Sequence, residues 1–293
     1  MENRTRESVA AYEKVLIARS KERPSVRDYI QHLFEGFIEL HGDRLYKDDP
    51  SLTGGIAMFH GIPVTVIGQK KGKTTEEQIQ YNFGMTSPEG FRKAKRLMLQ
   101  AEKFHRPVIT FIDTPGAYPG MEAESNGQSN AIAECLAFMS AMRTPSIAII
   151  TGEGNSGGAL ALAVADRICM LENSVYSILS PEGFASILWK DAKRAPEASE
   201  LMKITAEDLK EYGLIDEVIS EEGDVYDSID MMLTKALEEL MRINPARLAT
   251  MRYQKIRSLD KAAGAAYRKG AADERNSYQS QQQGAAGQKG QQL

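Results

Sequence analysis

The run Ser146-Ile-Ala-Ile-Ile-Thr-Gly-Glu-Gly-Asn-Ser-Gly-Gly-Ala-Leu-Ala-Leu-Ala163 constrains the fold more than any other part of the chain. Its first third, residues 147–151, is apolar and rich in isoleucine, as expected of a strand covered on both faces. Four glycines follow within seven residues, and a helix of small apolar residues is predicted to start near Ser156. A helix start preceded by glycines presents backbone N–H groups that have no partner within the helix, and the helix dipole adds positive potential there. Such a place holds an anion, or an oxygen that becomes anionic during a reaction.

The stretch sits inside a longer alternation. Residues from about 5 to 40 read as two helices, with Val9, Tyr12, Val15 and Leu16 at helical spacing before Pro24, and Val26, Tyr29, Ile30, Leu33 and Phe37 after it. Strands at 55–59 and 64–68 flank His60-Gly61, a hairpin signal. A polar loop over 70–86 leads to a helix opened by Ser87-Pro88-Glu89. A strand over 107–112, a helix over 124–143, the glycine-bearing unit, and strands at 167–171 and 175–179 follow. Ser-Pro-Glu-Gly-Phe occurs at 87–91 and again at 180–184, each time where a helix should begin; the copies read as two independent N-cap signals, the alternative being an internal duplication that the flanking sequence does not support. Helices at 224–241 and 245–257 close the alternation, and the Ala/Gly/Gln-rich end is expected to be disordered. The division expected is a helical segment at 1–45, an α/β domain at 46–258 with covered sheets, and a flexible tail at 259–293.

Composition removes several function classes. A hydrophobic fraction of 42% over 293 residues supports a sizeable core, and a net charge of −4 gives no reason to expect a nucleic-acid partner. The two cysteines, Cys135 and Cys169, read as buried inert thiols, and no Cys/His cluster has zinc spacing. No apolar run reaches the roughly 18–20 residues that span a bilayer, and the charged N-terminus has no signal-peptide core, so a cytoplasmic chain without a membrane partner is expected.

Three familiar patterns each fit badly. Gly152-Glu-Gly-Asn-Ser-Gly157 matches a dinucleotide fingerprint, but at least three strands precede it, whereas the fingerprint belongs to the first βαβ unit. An NAD(P)- or flavin-dependent oxidoreductase using Gly152–Gly157 as a phosphate-binding turn stays open as the alternative. Gly154-Asn-Ser-Gly-Gly158 matches a nucleophile elbow, yet all four histidines precede Ser156, against the Ser–acid–His order of that fold. Gly68-Gln-Lys-Lys-Gly72-Lys-Thr74 has one residue too few for a phosphate loop, though Lys70, Lys71 and Lys73 remain either a solvated loop or a basic patch for a phosphate-bearing ligand.

A second glycine-bearing turn points elsewhere. The strand over 108–112 feeds Asp113-Thr-Pro-Gly-Ala-Tyr-Pro-Gly120. If the two strands are neighbours, the amides of Gly116-Ala117 and of Gly157-Gly158 converge on one oxygen, which stabilises a developing oxyanion by about a few kcal/mol. The strand, glycine run and small-residue helix resemble the crotonase superfamily, which keeps half of an oxyanion hole there. The wider set is more specific: His41-Gly-Asp-Arg44, Asn82-Phe-Gly-Met85, Pro88-Glu-Gly-Phe-Arg-Lys-Ala94, Asp113 to Gly120, Gly152 to Ala159, and Ser180-Pro-Glu-Gly-Phe-Ala-Ser-Ile-Leu-Trp189. Over about residues 5–255 this series resembles the alpha-subunit family of bacterial acetyl-CoA carboxylase carboxyltransferases.

The resemblance implies a crotonase-like β/α spiral with an N-terminal helical segment and C-terminal helices. It implies transfer of a carboxyl group from carboxybiotin, tethered to a carrier protein, to acetyl-CoA, giving malonyl-CoA for fatty acid synthesis. It assigns the oxyanion-stabilising role to Gly157, Gly158, Gly116 and Ala117, and contact with carboxybiotin to Gly154, Asn155, Ser156 and Tyr118. The implied partners are a zinc-bearing beta subunit in an α2β2 assembly, biotin carboxyl carrier protein and biotin carboxylase, with no metal in this chain. Of the two carboxylates near the glycines, Asp113 is a base only by position. Glu153 reads as structural, because a free carboxylate beside an oxyanion hole opposes it.

Overall fold

The computed structural model describes residues 10–259. The first residues of the expected N-terminal helix and the tail beyond Leu259 lie outside the described residues. The strands are β1 (Glu35–Glu39), β2 (Leu52–Phe59), β3 (Ile62–Gln69), β4 (Val108–Thr114), β5 (Ser146–Asn155), β6 (Arg167–Leu171), β7 (Val175–Ser177) and β8 (Glu217–Ile219). They form one sheet in the order β1-β2-β3-β4-β5-β6-β8, with β7 beside the far end of β5. The first two pairings are antiparallel and the rest parallel. The β2–β3 hairpin turns through His60 and Gly61, both at positive φ as a two-residue primed turn requires.

Helices cover both faces. Ile109, Phe111, Ile147 and Ile149 pack with α2 (Val26–Leu33) and α11 (Val225–Leu240). Val108, Ile112, Ala148 and Ile150 pack on the other face with α4 (Pro88–Lys103), α6 (Gln128–Ala141) and α7 (Ser156–Ala163). This alternation of buried side chains along β4 and β5 is the reason both strands read as unbroken apolar runs. Cys135 and Cys169 are buried among these layers, and burial pushes both thiols up to about 12. Smaller helices α1 (Ala11–Ala18), α3 (Thr75–Gln80), α5 (Met121–Ser125), α8 (Pro181–Trp189), α9 (Ala195–Met202) and α10 (Ala206–Glu211), with α12 over 245–259, are the remaining α-helices of the described residues. Among the described residues, no helix is long and apolar enough to cross a membrane.

Three expectations need correction. Residues 35–39 are a strand, so the helical spacing that ran on to Phe37 ends at Leu33. The strand pairs antiparallel with the free edge of β2. The helix expected over 124–143 is broken into α5 and α6 at Gly127, whose φ of +80° is left-handed. Finally, Gly152 to Asn155 are not a turn: β5 runs on through them to the first residue of α7.

The two Ser-Pro-Glu-Gly-Phe copies do start helices, by different means. Ser180 caps α8 with its own hydroxyl, which accepts from Gly183 N at 3.1 Å. At α4 the cap is a distant carboxylate: Asp49 Oδ2 accepts from Ser87 N at 2.7 Å, and a Cβ on Gly90 would lie 2.5 Å from it. Around Asp49 the loop after β1 is tied down by charge. The buried Lys93 ammonium donates to Asp48 at 2.6 Å, and Arg92 donates to the buried Asp43 at 2.8 Å. The His41-Gly-Asp-Arg44 motif therefore serves as scaffold for the α4 N-terminus.

Burial alone would raise the Asp48 pKa, but Lys93, the Gly42 amide and His41 outweigh it and hold the group down at about 2. Because the folded pKa is the lower one, the contribution of this carboxylate is fully present above the ordinary aspartate range. It is lost as pH falls from about 4 towards 2. Acid titration of the melting temperature is expected to show this loss, and Asp48→Asn to flatten it; parallel acid profiles for the two proteins would refute the assignment.

Candidate active site

β4 and β5 are adjacent and parallel, so the segments that leave their C-terminal ends lie side by side. Thr151, Gly152 and Glu153 of β5 together face Asp113 alone on β4, a bulge between the Ile112–Ile150 and Thr114–Gly154 pairs. Gly152 permits it, since a Cβ there would lie 2.4 Å from Asp113 Oδ1. Asp113 Oδ1 in turn accepts from Glu153 N at 3.0 Å.

Beyond the bulge the two turns meet backbone to backbone. A Cβ on Gly158 would lie 2.5 Å from both Ala117 N and Gly116 C, so only glycine fits. The amide of Gly116 donates to Thr114 Oγ1 at 3.1 Å, and that of Tyr118 to Thr86 O at 3.1 Å. The nitrogen held against Gly158 is the one between them, Ala117 N. On the facing side, Gly157 and Gly158 are in the first turn of α7, where N–H groups have no partner within the helix. Ser156, exposed, opens that helix with φ +58°, a conformation that costs energy in a residue bearing a Cβ.

Side chains lock this arrangement from behind. The buried Gln69, at the end of β3, donates from Nε2 to Gly158 O at 3.0 Å and to Thr86 Oγ1 at 3.2 Å. Gln128 donates to Thr86 O at 2.8 Å and to Tyr118 O at 3.1 Å. Thr114 Oγ1 reaches Gly84 O at 2.7 Å. Sequence reasoning missed Gln69, Thr86 and Gln128; the only local signal was an amide side chain closing an otherwise apolar strand.

Glu153 is nearly buried, at 4% side-chain exposure, between Lys71 Nζ at 2.6 Å and Arg19 Nε at 2.7 Å. Burial pushes its pKa up, but Lys71 and Arg19 outweigh that and hold it below the ordinary glutamate value. It is thus ionised and neutralised by two cations, and it fastens α1 to the glycine run. Arg19 also holds Glu182 of the second Ser-Pro-Glu-Gly-Phe copy, at 2.8 Å. The basic-patch reading of Lys70, Lys71 and Lys73 yields to acid pairing: Lys71 with Glu153, Lys73 with Asp28 at 2.9 Å, and Lys70 with Glu39 at 3.9 Å.

The eight expected site residues divide accordingly. Gly158, Gly116 and Ala117 are in contact, and Ser156 and Gly157 border a groove of about 1050 Å³. Leu160, Tyr176, Ile178 and Phe184 give that groove apolar walls. Tyr118 is half-buried with its ring over Gly120, 2.5 Å from where a Cβ would be. Gly154 and Asn155 are buried within β5, where Gly154 pairs with Thr114 and a Cβ on it would lie 3.0 Å from the Tyr176 ring. Asn155 Oδ1 accepts the Ser177 hydroxyl at 2.7 Å, so its side chain belongs to the β5–β7 seam.

A family model described as acetyl co-enzyme A carboxylase carboxyltransferase-like matches residues 1–260. The chain belongs to this carboxyltransferase family. Among its family relatives, the acetyl-coenzyme A carboxylase carboxyl transferase subunit alpha of Clostridium acetobutylicum is 54% identical, over 87% of this chain and 96% of that one. A beta/alpha carboxyl transferase chain of Natranaerobius thermophilus is 55% identical, over 85% of this chain and 42% of that one. Among solved structures, transcarboxylase 12S superposes with a TM-score of 0.66 at 19% identity, covering 78% of this chain and 44% of that one. At that identity the likeness shows the fold, a crotonase-type carboxyltransferase architecture, as the sequence resemblance implied. Family membership removes the support for the oxidoreductase alternative, and the geometry agrees, since the first two glycines of that fingerprint are strand residues.

Proposed function

We propose that this chain is the alpha half of a carboxyltransferase that, with a beta subunit, transfers the carboxyl group of carboxybiotin to acetyl-CoA, giving malonyl-CoA. One observation carries the reading: Gly158 is pressed against Gly116-Ala117 so closely that no side chain fits, which brings amides of two loops together. The residues present fit the ligand. The turn offers N–H donors and positive helix potential to an oxygen, and an apolar groove of about 1050 Å³ opens beside it.

Carboxybiotin, when bound, supplies the carboxyl group. The amides of Gly157, Gly158 and Ala117 stabilise negative charge that builds on an oxygen placed among them, a contribution of about 3–4 kcal/mol per well-aimed donor. The donors are preorganised, because Gln69 and Thr114 fix the backbone on either side. Gly116 contributes through its φ of +145°, a backbone conformation that favours glycine, its own amide being engaged with Thr114. Glu153 and Asp113 are committed to Lys71, Arg19 and the backbone, so catalysis rests on positioning and electrostatics and not on either carboxylate as a base.

The beta/alpha arrangement of one relative supports a beta partner. On this reading the beta subunit binds the acyl-CoA, and biotin carboxyl carrier protein and biotin carboxylase act upstream. Mixing the purified chain with a beta subunit and assaying malonyl-CoA-dependent carboxylation of free biotin tests this. Turnover is expected in the mixture and in neither chain alone. Turnover by the isolated chain, or none in an associated mixture of folded chains, would overturn the reading.

A further inference from the structure

Among the described residues, eight non-glycine residues adopt positive φ, and four have a reason in the local turn or helix end. His60 turns the β2–β3 hairpin, His105 follows α4, and Lys190 and Lys203 end α8 and α9. Asn82 and Phe83 have none of these. With Gly84 they form three consecutive left-handed residues, φ +48°, +56° and +82°. A bulky aromatic in that region is an outlier, and such outliers persist only where the surroundings enforce them.

The surroundings do so on both sides. Tyr81 is 4% exposed, with Lys70 Nζ 4.9 Å from its ring centroid. Gly84 N donates to Tyr81 O and Met85 N to Asn82 O, both at 2.9 Å. Gly84 O accepts from Thr114 Oγ1 at 2.7 Å, and a Cβ on Gly84 would lie 3.2 Å from Asp113 O. Two residues on, Thr86 pairs in parallel with Ala117, the donor of the second turn. Between these anchors Phe83 stands 48% exposed. The fold thus holds an exposed aromatic residue, in a backbone conformation that disfavours it, on a segment tied to the amide turns through Gly84 and Thr86. Neither packing nor local propensity within this chain explains such a residue, which is the pattern expected of a residue kept for function.

We infer that Phe83 is a substrate-contacting residue, whose ring is a wall for the flat ureido ring of biotin at the amide turns. The inference rests on the function proposed above. An aromatic face suits the flat ureido ring, whose polar edge is turned to hydrogen-bond donors and whose fused thioether ring is apolar.

The experiment uses the full chain assembled with its beta subunit, in malonyl-CoA-dependent carboxylation of free biotin. Phe83→Asn and Phe83→Gly suit the left-handed backbone, so both are expected to fold with an unchanged or raised melting temperature. Each is expected to raise the KM for biotin about tenfold while leaving the KM for malonyl-CoA unchanged. Phe83→Tyr, which keeps the ring, should stay within about threefold of the parent enzyme. An unchanged biotin KM in Phe83→Asn overturns the inference. So does a rise confined to the malonyl-CoA KM or to the Kd for the beta subunit. Gly158→Ala assayed alongside separates the two claims. If it abolishes turnover while Phe83→Asn is silent, only the Phe83 role fails; if it retains turnover, the oxyanion reading itself fails.

Discussion

Gly158→Ala in the assembled enzyme is expected to lower kcat by about a hundredfold or more, the loss seen when one preorganised oxyanion donor is displaced. The added Cβ would stand 2.5 Å from Ala117 N and Gly116 C, and both are backbone atoms that no rotamer change can move aside. The two turns must therefore separate, and an oxygen can no longer reach both sets of amides. The same clash costs about 1–3 kcal/mol of stability, so a drop in melting temperature accompanies the loss of turnover. Valine enlarges both effects. Circular dichroism and thermal unfolding are expected to show a folded but less stable protein, and steady-state kinetics a fall in kcat. Near-normal kcat in folded Gly158→Ala would mean that the two turns do not act on one oxygen.

The second large effect is on stability. Arg252 of α12 has no exposed side-chain surface, and it donates to Met139 O at 2.6 Å, Met142 O at 2.8 Å and Asp166 Oδ2 at 2.7 Å. Those two carbonyls belong to the C-terminal end of α6, where the helix leaves carbonyls unpaired and favours a cation. Arg252→Met keeps the length of the side chain and removes the charge. It leaves Asp166 buried with only the Ser146 amide and hydroxyl as partners, and two carbonyls without donors. Breaking a buried pair in this way costs about 3–5 kcal/mol. At about 2–4 °C per kcal/mol for a domain of this size, the melting temperature is expected to fall by roughly 10 °C. Hydrogen exchange should accelerate across residues 245–259 in particular, since Arg252 pins that helix. A melting temperature within about 2 °C of the parent would show that the pair contributes little net energy.

Patterns that depend on neighbours in the chain were legible from the start. The apolar runs of β4 and β5, the primed turn at His60-Gly61 and the helix start at Ser156 each follow from a few consecutive residues. The order of the six motifs identified the family, and with it the fold, because each records a local backbone requirement. The facing turns were inferred from the assumption that β4 and β5 are adjacent, which the sheet bears out.

What misled the sequence reading was local pattern that tertiary partners override. Phe37 falls at helical spacing after Leu33, yet the open edge of β2 draws residues 35–39 into the sheet. The four glycines read as one turn, but Gly152 serves a bulge that seats the Asp113 carboxylate, and only Gly157 and Gly158 belong to the helix start. Asn155 sits in the motif beside the functional glycines, yet its side chain is claimed by Ser177.

The sequence by itself determined where strands, hairpin and amide-presenting helix start lie, since these arise from propensity, period and the absence of a Cβ over short spans. Only the tertiary structure decided which groups are partners. Asp49 caps a helix 38 residues away, Glu153 is neutralised by Arg19 from 134 residues away, and Arg252 reaches Met139 across 113 residues. A buried charge or amide needs a partner wherever the fold can bring one, and separation along the chain carries no record of which group that is.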